Sequence, residues 1–207
     1  IILQKLCSGK VGWDEIIPAL RLDSRIGKYS YIKPGLGLAG GNLERDLSTV
    51  VKLGEKFNTD VSVIKTWIAS SRRRKNWPLE ILQSRVLPRI EAPKISILGL
   101  AYKENTDSIK NSPSIQCLEG LKGYDLRVFD PAVRNDVVPF AVSCQDIQSC
   151  IENCDILLIM TPWPEFGKLT FETLEETMKK KIVIDPWGCL KDLCLEDRGF
   201  EYFRLGN

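Results

Sequence analysis

The first half of the chain carries apolar residues at the three- and four-residue spacing of amphipathic helices. The spacing predicts a helix over 43–57, with Asn42 as its N-cap. A second run begins at Val61 and predicts another long helix. We expect a break or bend near Trp77 and Pro78, because proline disrupts a helix interior.

After Pro93 the pattern changes to short runs of aliphatic residues. Strands are predicted at 95–98, 125–130, 155–160 and 181–185, with helices at 113–122, 145–152 and 171–180 between them. Strands that alternate with helices indicate a parallel sheet. The fold class expected is α/β, with an all-helical dimerisation region over 1–91 followed by a Rossmann-like parallel-sheet domain over 92–207.

The dimerisation region is inferred from an apolar stripe on the second helix. Its members are Val61, Ile64, Trp67 and Ile68. The stripe is larger than the facing helix 43–57 needs, and tryptophan is enriched in interfaces. A homodimer is therefore expected, with ordinary intrachain core as the alternative.

Ligands of parallel sheets bind beyond the carboxyl ends of the strands. The residues at these positions are Tyr102, Lys103, Asp130, Thr161 and Asp185. The alternative for the two aspartates, each followed by proline, is that they only begin turns. The first strand lacks a G-x-G-x-x-G loop, which favours a nucleotide held by side chains or shared with another domain over independent NAD binding.

The charge balance narrows the ligand classes. Lysine and arginine number 29 against 27 acidic residues, so the net charge of +2 predicts neither nucleic-acid nor membrane binding. The longest apolar run is far shorter than the ~20 residues needed to span a bilayer. The consecutive cations Arg72 to Lys75 point in four directions on a helix, and we interpret them as a solvated helix terminus.

Seven cysteines and no histidine indicate free thiols in a reducing cytoplasm, and no metal site is expected. The absence of histidine also removes the commonest general base.

The stretch "PGLGLAGGNLERDLS" over 34–48 is the strongest candidate for ligand binding. Its glycines Gly35, Gly37, Gly40 and Gly41 would let the backbone approach a ligand closely. The helix that follows offers unpaired N–H groups to an anion. The stretch therefore predicts a site for a sugar and phosphates.

Several motifs in order resemble the UDP-glucose/GDP-mannose 6-dehydrogenase family. They are "DSRIGKYSYIKPGLGLAGGNLERDL", "ILGLAYKENTDSIKNSPS", "VFDPAV", "CDILLIMTPWPEF" and "VIDPWG", and together they cover nearly all of 1–207. The resemblance implies an NAD-dependent oxidoreductase of polysaccharide biosynthesis that acts on a nucleotide sugar. It also implies that the chain is the carboxyl-terminal part of such an enzyme, without the NAD domain.

The resemblance places the catalytic positions at the start of the first helix. The nucleophilic cysteine of the family falls on Asn42, its lysine on Arg45 and its aspartate on Asp46. That cysteine holds the intermediate as a thiohemiacetal and then a thioester, which a carboxamide does not do. Two hypotheses follow: part of a 6-dehydrogenase, or a non-catalytic relative that binds a nucleotide sugar or assembles with an active partner.

The resemblance also assigns binding positions. Arg25 resembles an arginine that reaches into the partner subunit's site, Tyr31 and Lys33 flank the glycine loop, and Lys103 is a further substrate contact. Lys110 occupies the position of a family arginine, and the resemblance assigns it to cofactor binding. A lysine keeps the positive charge of that arginine but lacks its bidentate guanidinium. Trp187 occupies a position where many members carry an arginine for the nucleotide.

Overall fold

The first part of the chain is helical. The computed structural model describes residues 12–30, 32–134 and 136–206. Its helices here are α1 (Trp13–Leu22), α2 (Asn42–Lys56) and α3 (Ser62–Ile81), and α3 continues into a π-helical turn (Leu82–Val86) and a 3-10 turn (Leu87–Arg89). Helices α2 and α3 confirm the two predicted from apolar spacing.

Asn42 is not the N-cap of α2. The N-cap position belongs to Gly41, whose backbone is already in the right-handed helical region at φ −104° and ψ −22°. The helix therefore begins one residue earlier than predicted, and Asn42 is its first residue, with an exposed side chain. The prediction of a side-chain cap at Asn42 was wrong.

Pro78 does not end the second helix, as a break would require. Helix α3 runs through Pro78 to Ile81. Pro78 is buried, and the next residue, Leu79, lies where a side chain on Gly120 would be. Packing of this segment against the sheet domain stabilises the helix beyond the proline, whose local cost is about 3 kcal/mol.

The second part of the chain is a parallel sheet. Among the described residues its strands are β1 (Lys94–Leu98), β2 (Asp125–Phe129), β3 (Val142–Ser143), β4 (Ile156–Ile159), β5 (Ile182–Ile184) and β6 (Glu201–Phe203). Their order is β3-β2-β1-β4-β5-β6, and every pairing is parallel. This is the strand order of a Rossmann fold, and it confirms the predicted fold class.

Helices between the strands cover the sheet. They are α4 (Pro113–Glu119), α5 (Ile147–Ile151) and α6 (Phe171–Thr177), each shorter than predicted. The central strands β1 and β4 are buried almost throughout, which explains their continuous apolar runs. Strands β3 and β6 were not predicted, because a run of two or three residues is too short to show a strand pattern and becomes a strand only by pairing with a neighbour.

The helical part joins the core of the sheet domain. Leu36 of the glycine loop and Leu82 and Val86 of the π-helical turn belong to one buried cluster with the residues of β1 and β4. The loop is therefore anchored on the sheet domain. The boundary between residues 91 and 92 stays a prediction.

Two expectations on composition can be compared with the described residues. The six cysteines described there are free thiols. Among all the described residues, no group of three or more histidine, cysteine, aspartate or glutamate side chains is placed to hold a metal ion. None of the described helices combines the length and apolar character that crossing a membrane needs.

Candidate functional site

The glycine loop is held from two sides. On one side the Leu38 N–H donates to Ser71 Oγ of α3 at 2.8 Å. On the other side Asn111 Nδ2, just before α4, donates to the Gly40 carbonyl at 2.8 Å. The loop thus bridges the helical part and the sheet domain in one defined conformation.

Two glycines of this loop adopt backbone conformations that favour glycine. Gly37 has φ +79°, and a Cβ there would lie 2.7 Å from the carbonyl oxygen of Ser71. Gly40 has φ +78°, and a Cβ there would lie 2.9 Å from the ring of Tyr102. The space left by the missing side chains is therefore filled by atoms of the protein itself. The sequence had indicated that this space would accommodate a ligand.

The two other glycines also face side chains of the sheet domain. The Trp187 ring lies 3.0 Å from the position of a Cβ on Gly35, and Lys110 lies 2.7 Å from that on Gly41. The four glycines therefore allow the loop to pack closely between α3 and the sheet domain.

A cleft of about 1100 Å³ opens beside the loop, at the carboxyl ends of β4, β5 and β6. It is rich in positive charge. Its basic residues are Arg21, Lys28, Lys33, Lys191 and Arg204, and Glu104 is the acidic residue among the lining that the structure describes. Five cations in one cleft of a chain with net charge +2 make a local site for an anion.

Two tryptophans give the cleft fixed aromatic walls. Trp13 Nε1–H donates to the Ile32 carbonyl at 2.5 Å, and Trp187 Nε1–H donates to the Met160 carbonyl at 2.9 Å. Both indoles line the cleft. A ring whose N–H is already satisfied offers its faces for stacking, and a cation or a base can use them.

The aspartates beyond β2 and β5 have structural roles. Asp130 Oδ2 accepts hydrogen bonds from the N–H groups of Leu100 and Ala101 and from Trp163 Nε1. Its other oxygen accepts the N–H groups of Ala132 and Val133. These contacts support the turn interpretation, and they occupy the amides that follow β1.

Asp185 is fully buried at the base of the same turn that carries Trp187. It accepts a hydrogen bond from the Leu190 N–H at 2.9 Å and from the Tyr202 hydroxyl at 2.8 Å. Burial and the adjacent Asp185 carboxylate raise the pKa of Tyr202 and of the Cys189 thiol. Both groups therefore stay protonated and brace the turn.

The predicted catalytic residues lie on the exposed start of α2. Arg45 Nε and Nη2 donate to Asp46 Oδ1 at 3.0 and 2.9 Å, and both side chains are more than half exposed. Asn42 is exposed beside them. The lining of the cleft includes none of the three, so the described chain does not bring them to the basic cleft.

The predicted binding residues are distributed unequally. Lys33 lines the cleft, whereas Lys103 is exposed and places its ammonium 5.7 Å from the Tyr102 ring centre. Lys110 is exposed next to Gly41. Tyr31 lies outside the described residues.

Arg25 lies in an exposed turn after α1. Its guanidinium donates to Asp23 at 2.6 and 3.0 Å, and this hydrogen bonding lowers the pKa of Asp23. In a single chain Arg25 points to solvent, with its side chain 87% exposed.

Sequence reasoning missed four of the five cations of the cleft. Arg204 follows β6, so the strand-end rule would have found it had β6 been predicted. Lys28 stands in the polar stretch before the glycine loop, and Arg21 is the basic residue in the last turn of α1. Only tertiary structure brings these residues to Lys191.

The basic run of α3 is not a solvated helix terminus. It lies in the middle of a helix that ends at Ile81, and Lys75 is 5% exposed. Lys75 Nζ pairs with Glu44 Oε1 of α2 at 2.5 Å. The terminus interpretation was wrong because α3 continues beyond Pro78, and one of the four cations belongs to the contact between α2 and α3.

A parallel sheet with Rossmann strand order and a cation-rich cleft with aromatic walls at its carboxyl edge are typical of nucleotide-binding α/β proteins. Comparison with protein families gives the particular family. Residues 96–192 match the UDP-binding domain of the UDP-glucose/GDP-mannose dehydrogenase family. The sheet domain matches this family over these residues, which confirms the resemblance inferred from the motifs.

Curated relatives extend the similarity to the helical part. UDP-glucose 6-dehydrogenase of Rickettsia typhi is 28% identical over 197 residues, which are 90% of this chain and 44% of the relative. The protein of the same name from Rhizobium meliloti is 30% identical, with 97% of this chain and 47% of the relative covered. The chain thus spans less than half the length of these relatives.

Solved structures show the same fold. A UDP-D-ManNAc dehydrogenase from Pyrococcus horikoshii is 25% identical with a TM-score of 0.77, covering 95% of this chain and 44% of that one. A UDP-glucose dehydrogenase from Pyrobaculum islandicum is 24% identical with a TM-score of 0.75, covering 94% and 43%.

Proposed function

We propose that this chain is the carboxyl-terminal part of an NAD-dependent nucleotide-sugar 6-dehydrogenase and that the basic cleft binds the nucleotide sugar. The observation that carries the proposal is the gathering of five cations at the carboxyl edge of a sheet domain of this family. The relatives named above carry a dehydrogenase name, which favours this lineage over a non-catalytic assembly protein.

The cleft suits a nucleoside diphosphate sugar chemically. Lys28 and Lys33 lie on the loop side and pair with the phosphates, because ammonium groups form charge-assisted hydrogen bonds to phosphate oxygens. The base stacks on the fixed indole of Trp187, which takes the place of a family arginine. The sugar extends toward the glycine loop and the start of α2.

NAD binds elsewhere in the intact protein under this proposal. The turn after β1 does not fit a dinucleotide, since Asp130 already accepts the N–H groups of Leu100 and Ala101. A Cβ on Gly99 would lie 2.5 Å from Thr161, so the glycine allows the ends of the neighbouring strands β1 and β4 to pack closely. Lys110, exposed beside the loop, is the contact we propose between this chain and the cofactor.

A homodimer would complete the site. Helices α2 and α3 expose large apolar side chains, namely Leu43, Val50, Leu53, Val63 and Trp67, and Phe57 directly after α2 is exposed as well. A second copy covers them in the dimer, and Arg25 then reaches the partner's cleft. The free cysteines are consistent with a cytoplasmic protein. An oxidised nucleotide sugar, the product of such a dehydrogenase, is consistent with a role in polysaccharide biosynthesis.

Calorimetric titration of the chain with UDP-glucose tests the cleft. We expect Lys28→Gln and Lys33→Gln each to weaken binding about tenfold, because each removes a charge-assisted contact to phosphate. Lys52→Gln removes an exposed lysine of α2 outside the cleft and serves as the matched control. UDP should retain most of the affinity and glucose none.

Two results would oppose the proposal. One is UDP-glucose binding with equal affinity to the wild type and to both cleft variants. The other is a loss of affinity in Lys52→Gln as large as that in Lys33→Gln, which would indicate unspecific attraction by positive charge.

A further inference from the structure

Two cysteines lie between α5 and the β3 edge of the sheet, away from the basic cleft, and their side chains are hydrogen-bonded to each other. Cys144 directly follows β3, and its N–H donates to the Val128 carbonyl of β2 at 2.9 Å. Cys150 lies in α5, with its sulfur 4.0 Å from the Ile97 carbonyl. Cys150 is fully buried, whereas Cys144 retains 8% of its exposure.

A positive charge lies beside this pair. Arg127 pairs with Val142 in the register of β2 and β3, so Cys144, two residues further on, shares its face of the sheet. The Arg127 guanidinium donates to the Ser149 carbonyl at 3.0 Å. Its Nε is buried and has no hydrogen-bond partner in the part of the chain that the structure describes.

One acidic side chain, Asp146, opposes the positive charge of Arg127, because its own charge raises the pKa of Cys144. Asp146 is exposed and caps α5, and its Oδ1 accepts the Ser149 N–H at 2.7 Å. The third cysteine of the cluster, Cys154, is fully buried. The thiol nearest to solvent is therefore the one next to the guanidinium.

The two thiols differ in acidity. A hydrogen bond from Cys150 and, after it, the charge of Arg127 lower the pKa of Cys144 to about 7. The same hydrogen bond and burial raise the pKa of Cys150 far above its ordinary value. Burial raises the pKa of Cys154 to about 11 and that of Cys117 to about 12, so neither is a thiolate at neutral pH.

We propose that Cys144 and Cys150 form a redox-active pair that a hydroperoxide converts to a disulfide. The Cys144 thiolate attacks the peroxide, so that an S–O bond forms, the O–O bond breaks and the alcohol leaves after taking a proton from water. Cys150 then attacks the sulfenic sulfur, so that the S–S bond forms and water leaves with the Cys150 proton. The two thiols supply the two electrons that reduce the peroxide.

Such a pair fits the compartment proposed above, where disulfides are mainly transient and redox-sensing. A dithiol reductant restores the two thiols by thiol–disulfide exchange. The pair is independent of the nucleotide-sugar cleft, so its test does not depend on the proposed dehydrogenase function.

The experiment treats the purified 207-residue chain with hydrogen peroxide, alkylates the remaining thiols and maps the peptides by mass spectrometry. Trypsin leaves all three cysteines in one peptide between Arg134 and Lys168. Cleavage before Asp146 and after Glu152 separates them. We expect the peptide 136–145 joined to the peptide 146–152, with the loss of two hydrogens and full reversal by dithiothreitol.

Variants assign the two roles. Cys150→Ser should leave a sulfenic acid on Cys144 that dimedone traps, because the resolving thiol is gone. Cys144→Ser should abolish oxidation of Cys150, and Cys117→Ser should change neither result. A disulfide that contains Cys154, or peroxide treatment that leaves Cys144 as reduced as Cys117, would overturn the proposal.

A pH profile of the wild type needs no variant to fold. The rate of Cys144 alkylation should increase with pH, with a midpoint near pH 7. Below this pH the rate should be low, because the thiolate is protonated. Arg127→Gln should move this midpoint to higher pH. A midpoint of Cys144 alkylation at the ordinary thiol value of about 8.5 or above would contradict the inference.

Discussion

The ion pair between α2 and α3 provides a quantitative test of the structure. Lys75 has a side-chain exposure of 6% and Glu44 of 29%, and their charged atoms lie 2.5 Å apart. Glu44→Gln keeps the shape of the side chain but leaves the Lys75 ammonium buried without its counter-charge. We therefore expect the free energy of unfolding to fall.

The magnitude follows from the burial of the two groups. Removing one partner of a fully buried pair costs about 3–5 kcal/mol. Because water still reaches part of Glu44, we expect about 2 kcal/mol, which is roughly a thirtyfold change in the folding equilibrium. At an m-value of about 2 kcal/mol per molar urea, the midpoint moves down by about 1 M.

Urea unfolding followed by tryptophan fluorescence measures this change. The double variant Glu44→Gln with Lys75→Met should recover most of the loss, since it removes the unpaired charge and keeps the apolar stem. Arg73→Gln, on the exposed side of the same basic run, should change the free energy of unfolding by less than about 0.5 kcal/mol. Equal effects of Glu44→Gln and Arg73→Gln would refute the assignment of a buried pair.

Three further predictions concern the loop, the dimer and catalysis. Gly37→Ala should lower stability by about 1–2 kcal/mol or more and weaken UDP-glucose binding, because its φ is +79° and its Cβ meets the Ser71 backbone. Gly123→Ala, with φ +98° and open space around it, is the control that should cost only the backbone strain, and equal losses would argue against the contact. Trp67→Glu should convert the dimer into a monomer of 23.4 kDa in sedimentation at micromolar concentration. Tyr124→Glu, which changes an exposed aromatic residue of the sheet domain, is the control and should leave the dimer intact. A monomeric wild type would disprove the dimer. The chain with NAD and UDP-glucose should give no rise in NADH absorbance, and turnover of about 1 per second by the intact protein would show that Asn42 permits the chemistry.

The pattern of residues along the chain was sufficient to predict the type of fold. Apolar spacing located α2 and α3, and the runs at β1 and β4 indicated a parallel sheet, because helix and strand periodicities are local properties. Ordered motifs over the whole length indicated the family, and the match of residues 96–192 confirms it. The number and spacing of the cysteines predicted free thiols, and the six described cysteines are free.

Long-range packing decided the rest. The helix through Pro78 persists because the segment is buried against the sheet domain, which no local propensity records. Strand β6 exists only through its pairing with β5, so the position of Arg204 in the cleft could not be predicted. Likewise Lys75 is one of four consecutive cations, and the sequence does not distinguish it from the other three. Only the approach of α2 to α3 buries Lys75 against Glu44. Electrostatic and packing energies depend on distances in space, and these become known only when the chain has folded.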